Sequence, residues 1–215
     1  MNLHIVTIVI IALNVIVTLK GLNDASFFER YKFSIGGIRS GQKERMLTSG
    51  FLHVDISHIF FNMFTLYFFA NVIITHMGAF NFVLIYVISL LAGSLLALFF
   101  HKDEPYYSAV GASGAVTGIL YAAILLEPNM RLGIMFIPIP MPAYVFGIGY
   151  LLYSIYGMKK RIGNIGHTAH FGGAIGGYVT TLFFIPTLIF TDTLVVVLMA
   201  VPIIVLFILD KLGKI

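Results

Sequence analysis

Four polar side chains stand out in an almost uncharged sequence. They are Ser113 within Gly111-Ala112-Ser113-Gly114, His170 within Ala169-His170-Phe171-Gly172-Gly173, and His58 with Asn62 four residues later. A serine hydroxyl is a weak nucleophile and needs a base within hydrogen-bond reach. Imidazole suits that work near neutral pH. His58 and Asn62 can both donate hydrogen bonds, and four-residue spacing stacks them on one helix face. Donors aimed where negative charge develops on a carbonyl oxygen stabilise acyl transfer in a dry site. These types therefore fit a nucleophile, a base and an oxyanion-binding pair. Each segment also has a plainer reading. Small residues in apolar helices serve packing, and a helical serine often bonds back to its own helix. The histidine can be satisfied by backbone, and His58 with Asn62 can be an interhelical hydrogen-bond pair.

The elements that must position them are membrane spans. The chain has 215 residues, 59% hydrophobic and 10% charged, against about 25% charged in soluble domains. Residues 1–19, 56–101, 105–126, 132–158, 162–191 and 193–209 hold no Asp, Glu, Lys or Arg. A span needs roughly 20 mostly apolar residues. The fold class expected is an all-α polytopic membrane protein with seven spans: about 3–19, 56–75, 80–100, 110–127, 142–157, 168–185 and 193–209. The 56–101 run is too long for one helix and breaks at Thr75-His76-Met77-Gly78. Proline at every second position in Phe136-Ile137-Pro138-Ile139-Pro140-Met141-Pro142 resists helix, so the fifth span starts at Pro142. The loop from Lys20 to Val54 mixes Phe27, Phe28, Tyr31 and Phe33 with Arg30, Lys32 and Arg39, which suits the membrane interface. The first run lacks the basic start and cleavage site of a signal peptide. The chain has no cysteine, which excludes disulfides and thiolate metal sites. The net charge of +4 speaks to topology and anionic lipid, not nucleic acid.

Polar side chains at membrane depth mark function by default. Gly111, Gly114 and Gly118 step by three and four, as do His170, Gly173 and Gly177. Two such faces let helix backbones approach closely. Ser113 and His170 each lie about one turn into spans that enter from the same side, so they come level. The second span, with His58 and Asn62, enters from that side too.

These residues resemble the rhomboid family of intramembrane serine proteases. The likeness runs from Arg45 to about Gly177. It rests on the serine segment, on Ala169-His170-x-x-Gly173-x-x-x-Gly177, and on His58-x-x-x-Asn62 preceded by His53. It implies a six-helix bundle plus a C-terminal seventh span, as one domain over 1–215 with its core at about 1–190 and the extra span at about 192–209. It implies that Ser113 attacks the scissile carbonyl and that His170 carries the proton. The Ser113 N–H, His58 and Asn62 would hold the oxyanion. Gly111, Gly114, Gly173 and Gly177 would pack the helices near the site. The implied partners are transmembrane protein substrates and membrane lipid, with no cofactor and no metal; the oligomeric state is left open. Three positions depart from the family pattern. Glu44-Arg45 stands where a Trp-Arg pair is usual, Thr117 replaces an aromatic residue four after the serine, and a glutamate is missing near the end of the second span.

The resemblance implies a bacterial cytoplasmic membrane with the mouth of the site on the outer face. The charge count opposes that orientation. Twelve of the thirteen Lys and Arg, including Lys20, Arg30, Lys102, Lys159 and Arg161, fall on the mouth side, and Arg131 alone on the other. The positive-inside rule would put the mouth in the cytoplasm. Two other classes fit parts of the pattern. His53, His58, His167 and His170 could gather around a metal, although the zinc-protease pattern His-Glu-x-x-His is absent. A transporter or non-catalytic binder of membrane helices would explain the glycine faces without needing Ser113 and His170 at one depth.

Overall fold

The computed structural model describes residues 3–134, 137–160 and 166–215. Phe136 and Arg161, cited above, lie outside them. Helix α1 (Ile5–Asn23) buries Thr7, Ile10, Asn14, Thr18 and Gly21. That three-to-four spacing makes a stripe that is mostly polar and faces inward, because lipid covers the apolar remainder. Asn14 donates from Nδ2 to Tyr86 Oη at 3.3 Å, tying α1 to the bundle. Asp24 then caps α2 (Ala25–Tyr31) by accepting the Phe27 N–H at 3.0 Å. The hydrogen bond from Lys20 holds the Asp24 carboxyl below the usual carboxylate range.

The rest of the first loop is folded rather than extended. Strand β1 (Phe33–Ser34) leads into α3 (Ile35–Arg39), α4 (Arg45–Thr48) and a 3-10 turn (Ser49–Phe51). The buried Arg45 holds it together. Its Nη1 donates to the Glu29 and Lys32 carbonyls at 2.8 and 2.9 Å, and its Nε to Gln42 Oε1 at 2.6 Å. Charge-assisted bonds of this kind are worth more than neutral ones.

Helix α5 (Ile56–Phe100) runs 45 residues and breaks at Gly78, where φ is 82° and ψ 164°. Its two arms of about 22 residues each measure roughly 33 Å, enough to cross the hydrocarbon core. The break falls within the stretch expected to hold it. Strand β2 (Ser108–Ala109) pairs antiparallel with β1, and α6 (Ser113–Leu126) follows. The proline-rich segment is more than a helix breaker. Strand β4 (Ile137–Pro142) pairs with β3 (Arg131–Ile134) as a hairpin. Prolines at alternate positions put every missing N–H on one strand edge and leave the other edge able to pair. Helices α7 (Ala143–Lys160), α8 (His167–Phe184), the short α9 (Leu188–Thr191) and α10 (Thr193–Lys211) complete the chain. Helices α1, α7 and α10 run a few residues past their charge-free segments. The lysines in their last turns complement the C-terminal dipole.

Among the described residues α1, α5 and α10 are long and apolar enough to cross a membrane, and α6 is a shorter apolar helix. The protein is an all-α polytopic membrane protein with α6 at its centre, where Gly114 through Leu125 are all buried.

Candidate active site

Helix α6 has 14 residues, about 21 Å at 1.5 Å per residue. That falls short of the roughly 30 Å hydrocarbon core, so α6 cannot span it alone. Its first residue is Ser113, and the N-cap residue, Ala112, offers no side-chain hydrogen bond. The first N–H groups of a helix lack partners within it, and with the helix dipole they favour a negative oxygen.

Helix α8 brings His170 beside this end. A Cβ on Gly114 would lie 3.1 Å from the Ala169 carbonyl oxygen, and the residue before the one and after the other, Ser113 and His170, line the same cavity. Below them, a methyl on Gly173 would strike the Gly114 carbonyl, and one on Gly177 the Gly118 carbonyl. The same helix packs its other side as closely. A Cβ on Gly172 would lie 2.6 Å from Gly93 Cα, and one on Gly176 2.8 Å from Ser89 Cα. Glycine at 172 and 176 therefore seats α8 against the second arm of α5, a second contact face that the spacing argument left out.

One glycine expectation is corrected. Gly111 does not share a helix face with Gly114 and Gly118, because α6 starts at Ser113. Gly111 lies ahead of the helix at φ +127°, a conformation open to glycine and strained for other residues. Its N–H donates to the Ser49 carbonyl at 3.0 Å. A Cβ there would sit 2.7 Å from the His58 ring, so Gly111 makes room for His58 rather than for α8.

The α5 residues are set by local rules. Asp55 caps α5 by accepting the His58 N–H at 2.7 Å, which puts His58 in the first turn. Asn62, one turn on, donates one amide hydrogen to the His58 carbonyl at 3.0 Å. An amide carries two donors, so the second is left for the cavity. That cavity, of about 940 Å³, is lined by Ser113, His170, His58, Asn62, Tyr150 and Thr117, among others. Ser113 is half-buried and His170 is 6% exposed.

Two contributors were not singled out for these roles. His53 accepts the Ala112 N–H on Nε2 at 3.2 Å, and its Nδ1 bonds Thr18 Oγ1 at 2.8 Å. It thus ties α1 to the residue before Ser113. Burial, with His58 alongside, pushes the His53 imidazole down to about 3 and keeps it neutral. The other is Tyr150 on α7. Its hydroxyl lies 2.8 Å from His170 Nδ1, and its ring stacks on the imidazole at 5.5 Å and 24°. The only hint in the sequence was Thr117, which leaves His170 without the expected aromatic neighbour. The histidines form two edge-on pairs, His53 with His58 at 4.9 Å and His167 with His170 at 6.1 Å. Among the described residues no three His, Asp or Glu side chains are grouped to hold a metal.

Residues 40–187 match the family model of the Rhomboid domain. The chain belongs to the rhomboid family. It is 31% identical over 182 residues to RHOMBOID-like protein 12, mitochondrial, of Arabidopsis thaliana, covering 78% of this chain and 54% of that one. It is 31% identical over 138 residues to Rhomboid protein 1, mitochondrial, of Saccharomyces cerevisiae, covering 63% and 40%. It is 32% identical over 143 residues to Rhomboid protease GluP of Bacillus subtilis, covering 66% and 26%. The chain spans about half or less of the length of these rhomboid relatives. Their names overturn the expected bacterial cytoplasmic membrane, since the Arabidopsis and yeast relatives are both named as mitochondrial. Placement as an integral membrane protein stands.

Proposed function

We propose that this rhomboid is an intramembrane serine protease, hydrolysing peptide bonds in or near transmembrane helices of membrane-protein substrates through a Ser113–His170 dyad. The observation that carries this reading is an uncapped helix N-terminus bearing Ser113 inside a cavity shared with His170, His58 and Asn62. Ser113 Oγ attacks the scissile carbonyl carbon while His170 Nε2 takes its proton. The Ser113 N–H, His58 and Asn62 meet the oxygen as it becomes negative, and preorganised donors of this kind are a large share of such catalysis. The C–N bond then breaks and His170 returns the proton to the leaving amine. Water from the cavity attacks the acyl ester with His170 again as base, restoring the hydroxyl. A substrate helix must unwind near the cut, because helical carbonyls are shielded by their own turn. The whole chain, 1–215, acts as one membrane domain in this reading, with α10 as an added span.

The test uses purified protein in detergent and a fluorogenic substrate built on a transmembrane helix. Ser113→Ala and His170→Ala should each lose at least about 10³-fold in cleavage with unchanged thermal unfolding. A hydroxyl-directed phosphonate probe should label the wild type and not Ser113→Ala. Cleavage or labelling that survives Ser113→Ala would overturn the assignment.

A further inference from the structure

A histidine base must present a lone pair to the serine, so the other ring nitrogen must carry the proton. In serine proteases with three catalytic residues a carboxylate holds that second nitrogen. Here the group at His170 Nδ1 is the Tyr150 hydroxyl at 2.8 Å. A hydroxyl can donate or accept. If Tyr150 donated to Nδ1, the ring proton would sit on Nε2 and block it as a base.

The dyad reading requires the opposite direction. Thr117 has one hydroxyl proton, and it goes to the Ser113 carbonyl at 2.7 Å. That proton is therefore not given to the Tyr150 oxygen, which keeps its lone pairs for His170. A base that works through Nε2 carries its proton on Nδ1, so on the dyad reading the Tyr150 oxygen accepts from His170 Nδ1–H and the Nε2 lone pair is left for Ser113. The ring stack at 24°, backed by Phe146 on Tyr150 at 6.1 Å and 15°, holds the imidazole plane.

We propose that Tyr150 is the positioning residue for His170, setting which ring nitrogen carries the proton, and that this makes the seat of α7 a condition for a competent base. The inference rests on the dyad reading. Ser113 stands on α6 and His170 on α8, two helices locked by glycine contacts, whereas Tyr150 stands on α7. Displacing α7 would leave Ser113 and His170 in place and release the ring.

The experiment pairs kinetics with ¹⁵N-imidazole NMR of the full chain in detergent, His170 being assigned by its loss in His170→Gln. Wild type should show a protonated Nδ1 and an unprotonated Nε2. Tyr150→Phe keeps the ring and removes the hydroxyl. It should lower kcat roughly 10- to 100-fold, the range for losing a partner that orients a histidine, with KM and thermal unfolding unchanged and the Nδ1-protonated form no longer dominant. A wild-type His170 protonated on Nε2 would overturn the proposal. So would a Tyr150→Phe variant with the Nδ1 proton kept, whatever its kcat. Cleavage surviving Ser113→Ala would instead sink the dyad while the NMR still reports on Tyr150.

Discussion

Helices α6 and α7 are neighbours with opposite relations to the rest of the molecule. Every residue of α6 from Gly114 to Leu125 is buried, so it is enclosed on all sides. Helix α7 buries Ala143, Gly147, Leu151, Ser154, Ile155 and Gly157, a single stripe at three-to-four spacing. Its Val145, Leu152, Tyr153 and Tyr156 stay 45–53% exposed. The two helices meet where Tyr121 Oη donates to the Gly147 carbonyl at 3.0 Å. The contrast separates two tasks. Backbone-to-backbone glycine contacts fix the depth of Ser113 and His170. The orientation of the His170 ring depends on a helix held along one face, whose seat can change at lower cost.

The contrast can be broken at several strengths. Gly173→Val, which drives side-chain atoms into the Gly114 backbone, should cost about 3 kcal/mol or more, the upper end for overpacking. Thermal unfolding in detergent measures it. A variant as stable as wild type would mean that α6 and α8 are not locked. His53→Ala should cost about 1–3 kcal/mol by leaving the buried Ala112 N–H unpaired.

Acid probes the same residue. The folded His53 titrates near 3 and the unfolded one near 6.5, so its share of stability is present above pH 6.5. Between those values the unfolded state binds the extra proton, and stability drains as pH falls from about 6.5 towards 3. His53→Gln should flatten that part of a stability-against-pH curve, and an identical curve would show that His53 does not report there. The smallest effect belongs to the outward side of α7. Leu152→Ala should shift unfolding by no more than about 0.5 kcal/mol. A loss near that of Gly173→Val would erase the distinction between the helices.

Much of the architecture was legible in the order of residues. Charge-free runs locate spans because lipid accepts few charges. The break at Gly78 was visible because a 45-residue helix exceeds what one membrane crossing needs. Ser113, His170, His58 and Asn62 could be grouped because helical spacing and alternating direction put them at one depth. Gly111 was misread because periodicity cannot tell a helix residue from one just ahead of the helix. The β3–β4 hairpin was missed because prolines argue against helix without saying what replaces it.

The sequence by itself determined the class of the protein, its longest apolar helices and the residue types present at the site, since these follow from hydropathy and local spacing. Only the tertiary structure decided how the His170 ring is held. Tyr150 is 20 residues away on another helix, and no periodicity links the two. Their contact exists because α7 and α8 pack side by side at one register. A hydrogen bond between helices depends on that register to within an ångström, and the pattern of apolar residues along either helix does not encode it.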